Sequence, residues 1–145
     1  MRDMVSNIQI VQGVPQTITG AADTAGRAVD VRGFGALGVY MQTGTVTVAG
    51  TAGFSARIQH SDTLVGTDFV DVPAAEREGS IAAVTADASD NITAAGGITY
   101  LGSKRYVRTV FTGTTNTNAV AQALYVLGKP HRAPTTPVGA TLATS

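Results

Sequence analysis

The sequence predicts an all-β fold: a single antiparallel β-sandwich or a jelly-roll-like barrel with extended N- and C-terminal arms. Three observations support this class. About ten short segments alternate apolar and polar residues, which is the period of a half-buried strand. Turn-forming residues separate these segments at close intervals. Charged residues are only 14% of the chain, which is instead rich in Thr, Val, Ala and Gly, as strand-and-turn proteins are.

The first half of the chain contains six predicted strands. Their bounds are residues 7–12, 16–20, 28–32, 36–42, 45–48 and 54–60. Gly13 to Pro15 ends the first strand, and the second is predicted to return from it. Thr43 and Gly44 are predicted to form a tight turn between the fourth and fifth strands.

Alternation in the sixth strand also predicts which side chains face the core. Phe54, Ala56 and Ile58 occupy alternate positions and are expected to face the core. The residues between them and after them, Ser55, Arg57 and Gln59, are expected to face outward. The polar turn that follows covers residues 61–66.

The second half contains five further predicted strands and one brief pairing segment at 92–93. The strands are residues 69–72, 80–85, 98–101, 106–111 and 119–127. Pro73 stops the first of these, and residues 73–78 form the only predicted helical turn, which Gly79 ends. Residues 86–91 are a predicted loop.

These elements predict one domain over residues 1–128, whose first 14 residues form an N-terminal strand or arm. Residues 129–145 are predicted to be an extended tail, because they hold three of the five prolines and have no periodicity.

Composition excludes several functions and compartments. The formal net charge is zero, so no overall field attracts nucleic acid or an anionic membrane. The chain has no cysteine, which excludes disulfides, thiolate metal sites and a cysteine nucleophile. We expect no membrane span, because no window approaches 18 apolar residues, and no leader peptide precedes the first strand. The expected site of synthesis is therefore the cytoplasm.

No constellation of residues predicts catalysis, and we expect the protein not to be an enzyme. His60 and His131 have no evident partners and are expected at the surface. Asp62, Asp68 and Asp71 lack the spacing of a calcium loop and are expected to be turn residues that bond their own backbone. We therefore predict no metal and no cofactor.

Glycines 33, 35 and 38 match the spacing of a dinucleotide-binding loop. That loop requires a helix after the glycines, whereas a strand is predicted here. Strand glycines at a bulge or a close backbone approach are the favoured interpretation.

Cationic residues concentrate in the last third of the chain. They are Lys104, Arg105, Arg108, Lys129 and Arg132. Arg108 shares a strand face with Tyr106, a combination that can stack on nucleic-acid bases. We favour a solvated face that contacts acidic protein, because so few cations would bind nucleic acid weakly.

Four segments together resemble a family of small structural proteins of tailed-bacteriophage heads. They read HSD at 60–62, FVDVPAA at 69–75, YLGSKRYVR at 100–108 and VLGKPHRAP at 126–134. The resemblance implies a virion protein of double-stranded DNA phages. Its implied role is capsid decoration, or cementing: it would bind the outer surface of the head and stabilise the shell by bridging subunits of the major capsid protein.

The implied partners are the major capsid protein and further copies of this chain, with a trimer favoured. A compact β domain with terminal arms suits such a role, because arms add strands at the joints between neighbours. The candidate contact residues are Ile8, Ile10, Lys104, Arg105, Arg108, Lys129, His131 and Arg132.

Two alternatives remain open. A head fibre, a spike or another head–tail structural protein that contacts the host surface would share the virion location. A carbohydrate-binding β-sandwich module would need exposed aromatic side chains on a flat face, and the chain has no Trp and only four Tyr.

Overall fold

The computed structural model describes residues 4, 6–47, 53–85 and 96–131. These residues form eleven strands and two short 3₁₀ turns at Gly66–Asp68 and Ala74–Glu76. The strands are β1 (Ile8–Gln12), β2 (Gln16–Thr19), β3 (Asp23–Ala25), β4 (Val29–Asp30), β5 (Phe34–Thr47), β6 (Phe54–Ser61), β7 (Val70–Asp71), β8 (Arg77–Ile81), β9 (Gly96–Tyr100), β10 (Tyr106–Gly113) and β11 (Asn118–Pro130).

The strands form two antiparallel sheets packed face to face. Sheet A has the order β1–β11–β5–β9–β8, and β2 also pairs with β11. Sheet B has the order β3–β10–β6–β7, and β4 also pairs with β10. Over the described residues both sheets keep free edges, so the all-β sandwich prediction is confirmed and the barrel alternative is not.

The core lies between the sheets and is built from alternate residues of each strand. In β11 the odd-numbered residues from Ala119 to Leu127 are all buried, and the residues between them are not. Sheet B contributes Phe54 and Phe111, whose rings meet edge to face at 6.5 Å. This period of two is what the sequence predicted, and it separates an inner from an outer face on each sheet.

A second, smaller apolar cluster covers part of the outer face of sheet B. Phe69, Tyr106 and Ala28 are buried together, with Leu64 packed against them. These residues come from β10 and from the loops on either side of it. The cluster explains why Phe69 is buried although it lies outside a strand.

The edge of sheet A corrects the prediction that residues 16–20 return beside the first strand. Both β1 and β2 run antiparallel to β11, and they follow one another along its edge. The chain bulges between them at Gly13, whose N–H donates to Ala123 O at 2.7 Å. Pro15 lies in this interruption, where no ladder N–H is needed.

The predicted turn at Thr43 and Gly44 is wrong. Strand β5 continues through both residues to Thr47. Its pairing with β11 instead shifts by one residue between Ala119 and Ala121, so β5 holds the extra residue of a β-bulge. Gly44 thus marks a bulge, and glycines 33, 35 and 38 lie in the turn and strand of β5 with no helix after them.

Several boundaries also differ from the prediction. Residues 21–26, between the second and third predicted strands, contain β3, and β8 begins at Arg77 with Gly79 inside it. Strand β11 extends to Pro130, which pairs with Phe34, so the first two residues of the predicted tail belong to sheet A. Residues 8–12 are likewise paired with β11 and do not form a free arm. The 3₁₀ turn at Ala74–Glu76 confirms the predicted helical turn.

Four predictions fall outside the described residues. They are the last residue of strand 45–48, the loop 86–91, the pairing segment 92–93 and the tail from residue 132 onward.

Candidate interaction surfaces

Three of the four segments behind the phage-head resemblance meet at one corner of the sandwich, around Tyr100. Tyr100 points inward from β9, and its hydroxyl accepts a hydrogen bond from the Lys104 N–H at 2.9 Å. Its oxygen also lies 3.0 Å from His60 Nδ1. Burial raises the pKa of the Tyr100 hydroxyl. The YLGSK segment is therefore a loop that the tyrosine fixes to the end of β9.

His60 corrects the prediction of a surface histidine. It is 5% exposed, and its ring meets the Tyr100 ring edge to face at 5.7 Å. Its Nδ1 lies 3.6 Å from the Glu76 carboxylate. This contact could not be predicted from local sequence, because Tyr100 lies 40 residues away along the chain. No nucleophile accompanies the pair in these contacts, so His60 is a packed and hydrogen-bonded core residue.

Lys104 and Arg105 each have an acidic partner within the protein. Lys104 pairs with Asp62, whose hydrogen bond raises the pKa of the lysine. Arg105 donates to Asp30 through Nε at 3.1 Å and Nη2 at 2.8 Å. Burial raises the pKa of Asp30, but the hydrogen bonds from Arg105 and the Arg32 N–H outweigh it and leave the pKa low.

These pairs change what the two cations can do. Their charge is already neutralised on the protein surface, so they offer an outside partner little uncompensated charge. A charge reversal at Arg105 would place a second carboxylate beside Asp30 and would affect the fold as well as any contact.

The outer face of sheet B carries a polar ladder that crosses four strands. Arg57 donates to Asp71 at 3.0 Å and to Asp23 at 2.6 Å, and it also bonds Thr112. Gln59 donates to Asp71 at 2.8 Å. The hydrogen bond from Arg57, followed by that from Thr112, lowers the pKa of Asp23 to about 2. The outward placement of Arg57 and Gln59 is confirmed.

The acidic residues near position 65 have side-chain partners and do not simply bond their own backbone, as the sequence predicted. Asp62 binds Lys104, Asp68 accepts from the Thr63 hydroxyl, and Asp71 belongs to the ladder. In the described part of the chain, no group of three or more His, Cys, Asp or Glu side chains could hold a metal ion.

Arg108 differs from the other cations of this region. Its Nε and Nη2 donate to Gln59 Oε1 at 2.9 and 2.7 Å, and its guanidinium lies 4.2 Å from the centre of the Phe69 ring. No carboxylate pairs with it among the described residues. Tyr106 shares its face, as predicted, but is buried in the small cluster and offers no surface for base stacking.

The outer face of sheet A is uncharged across β1, β11, β5 and β9. The outward residues of these four strands include Ile8, Ile10, Gln12, Val120, Gln122, Leu124, Val126, Gly128, Ala36, Gly38, Tyr40, Gln42, Gly97 and Thr99. Ile10 is 54% exposed, which is high for a large apolar side chain.

On this face the Tyr40 ring lies across two glycines. A Cβ added at Gly97 would come within 2.7 Å of the Tyr40 ring, and one added at Gly38 within 3.3 Å. The ring therefore covers backbone that has no side chains of its own. We call the outer face of these four strands the uncharged face. It brings together Ile8 and Ile10, two of the predicted contact residues.

The remaining predicted contacts lie at the end of β11. Lys129 is exposed and has a positive φ of 51°. The His131 N–H donates to Gly33 O at 2.8 Å. Arg132 lies outside the described residues. The predicted contact residues that the structure describes thus fall in three separate places: the uncharged face, the loop before β10 with Arg108, and the end of β11.

No known protein-family model matches this chain, and a comparison with curated proteins finds no significant match. Among the described residues, no helix is long and apolar enough to cross a membrane.

Proposed function

We propose that this protein is a capsid decoration protein that binds the outer surface of a tailed-phage head and stabilises the shell by bridging major capsid protein subunits. The observation that carries the proposal is the uncharged face. A sheet surface with exposed Ile10 and Tyr40 and no charge over four strands can be buried against another protein without desolvating ions. The choice of the major capsid protein as the partner comes from the sequence resemblance to structural proteins of phage heads.

The rest of the sandwich supports a structural role. The outer face of sheet B is a closed network of ion pairs and hydrogen bonds that suits contact with solvent. The Tyr100 corner stiffens the loop before β10. Such a module acts through shape and burial and needs no catalytic group. A homotrimer is the favoured assembly, since symmetric copies would cover joints between shell subunits.

The test compares two lysine substitutions at matched positions on opposite sheets. Ile10 and Val70 are exposed by 54% and 56%, and both lie on edge strands. Purified variants would be mixed with expanded capsids that lack the protein and sedimented. We expect Ile10→Lys to weaken binding by at least about tenfold, the effect of losing one interface anchor. Val70→Lys should bind like the wild type.

Two results would count against the proposal. If the wild type does not bind such capsids, the protein is not a decoration protein. If both lysine variants bind equally well, the uncharged face is not the docking surface. Because both positions are exposed, each substitution should change the free energy of unfolding by less than about 0.5 kcal/mol.

One observation favours a second function, carbohydrate binding. Tyr40 presents a half-exposed ring on the uncharged face, beside the paired amides of Gln42 and Gln122. Sugars stack on such rings and bond to such amides. A glycan-array signal that Tyr40→Ala abolishes would support this function over capsid binding. A lack of signal would leave only the capsid proposal.

A further inference from the structure

A cleft of about 310 Å³ opens beside the outer face of sheet B, where the edge strand is interrupted. β3 ends at Ala25 and β4 begins at Val29, and the three residues between them line one side of the cleft. Leu64, Gly66 and Phe69 contribute from the loop that follows β6. The cleft therefore lies between the loop that joins β3 to β4 and the loop that follows β6.

The charge in this cleft is positive and uncompensated. Arg108 and Arg27 both line it, and none of the other lining residues is acidic. By contrast, Arg57, Lys104 and Arg105 each pair with at least one carboxylate. Arg108 Nη1 has no acceptor among the described residues, whereas Nε and Nη2 are bonded. Burial lowers the pKa of Arg108, and the nearby Arg57 lowers it further.

Arg108 is also held in one orientation. Gln59 Oε1 accepts two of its hydrogen bonds, and the Gln59 amide is itself held by Asp71. Phe69 lies under the guanidinium plane, and Gly66 O accepts from Nη2 at 3.3 Å. A guanidinium fixed this way loses little freedom when it binds an anion, which favours binding.

We propose that this cleft binds the carboxylate of an Asp or Glu side chain that a partner protein presents next to an apolar residue. The carboxylate would accept from the free edge of Arg108 and from Arg27, and the apolar residue would contact Phe69 and Leu64. A single acidic side chain suits the volume, which is at the small end for a pocket that encloses a whole ligand. The cleft opens on the sheet B side, opposite the uncharged face, so its partner is not the shell surface on which the uncharged face would dock. The carboxylate chemistry does not depend on the proposed function.

The test uses two blocked tripeptides, acetyl-Ala-Glu-Phe-amide and its Gln counterpart, titrated into the full-length protein labelled with ¹⁵N. We expect the Glu peptide to shift the amide signals of Gly26 and Gly66 saturably, with a dissociation constant on the order of millimolar. The Gln peptide should bind at least about tenfold more weakly, because it cannot make charge-assisted bonds.

Three Arg→Gln variants test which arginines bind the carboxylate of the peptide. Arg108→Gln should weaken binding of the Glu peptide at least about tenfold, and Arg27→Gln by several-fold. Arg77→Gln is the matched control, because Arg77 is an exposed arginine on β8 that does not line the cleft. It should bind like the wild type. If Arg108→Gln perturbs the fold, Arg108→Lys keeps the charge without the planar fork and should bind with intermediate affinity.

Equal binding of the Glu and Gln peptides, or unchanged binding by Arg108→Gln and Arg27→Gln, would overturn the proposal. Tighter binding of inorganic phosphate, or of free glutarate, than of the Glu peptide would overturn the assignment to a protein side chain. A wild type that binds the Glu peptide but no capsid would contradict the proposed function and leave the cleft assignment standing.

Discussion

Replacing Tyr125 with Phe should destabilise the protein by removing a hydrogen bond that joins the two sheets. Tyr125 belongs to β11 of sheet A and is fully buried. Its hydroxyl accepts from the Thr109 N–H of β10 at 3.1 Å and lies 3.1 Å from Thr109 Oγ1. It thus reaches the gap between β3 and β4, where the Gly26 N–H donates to Thr109 O and the Tyr125 hydroxyl accepts from the Thr109 N–H.

The loss of stability in Tyr125→Phe comes from the hydrogen-bond donor that the substitution leaves unpaired. The ring and its packing remain, but the buried Thr109 N–H loses its acceptor, which costs about 1–3 kcal/mol. For a domain of this size, 2 kcal/mol lowers the melting temperature by roughly 4–8 °C. Burial also raises the pKa of Tyr125, so the hydroxyl stays neutral and remains available as donor and acceptor.

Tyr40→Phe provides the matched control. It removes the same atom from a half-exposed ring on the uncharged face, and should change the free energy of unfolding by less than about 0.5 kcal/mol. Both variants would be unfolded in urea and monitored by circular dichroism. If Tyr125→Phe is no less stable than Tyr40→Phe, the hydroxyl does not join the sheets and the reasoning is wrong.

Two further predictions concern local stability and pH. Tyr100→Phe should speed hydrogen exchange at the Lys104 amide and cost about 1 kcal/mol, because the loop loses its acceptor; unchanged exchange would refute the role given to that hydroxyl. Since Arg57 holds the pKa of Asp23 at about 2, below its unfolded value of 3.8, this pair stabilises the fold above about pH 4 and is lost as the pH falls toward 2. Solvent exposure keeps that gain below about 1 kcal/mol. Asp23→Asn should therefore make the free energy of unfolding depend less steeply on pH below about pH 4. An unchanged pH dependence would contradict the role given to the Asp23–Arg57 pair.

The strands and their inward faces could be predicted from the sequence, because alternation is a local property. Period-two patterns placed β6 and β10 closely and assigned Arg57 to the outer face. Strand pairing was not predictable in the same way. β2 continues along β11 and does not fold back on β1, and its partner lies about 100 residues further along the chain.

The sites were harder to predict than the strands because their parts are distant in sequence. The sequence predicts His60 at the surface, whereas in the fold β9 places the Tyr100 side chain against it. The sequence predicts the basic residues as one patch, but in the fold Arg105 pairs with Asp30, 75 residues away, whereas Arg108 keeps an open edge. The uncharged face was present in the sequence as alternate positions of β5 and β11, yet only their pairing makes it continuous.

Electron microscopy of expanded capsids, with and without this protein, would show whether it decorates the head and which face it turns to the shell. We predict extra density on the outer surface of the head, into which the sandwich fits with Ile10 and Tyr40 facing the shell and the Arg57 ladder facing solvent. Density confined to a tail, fibre or spike, or a fit with the uncharged face turned to solvent, would contradict the account.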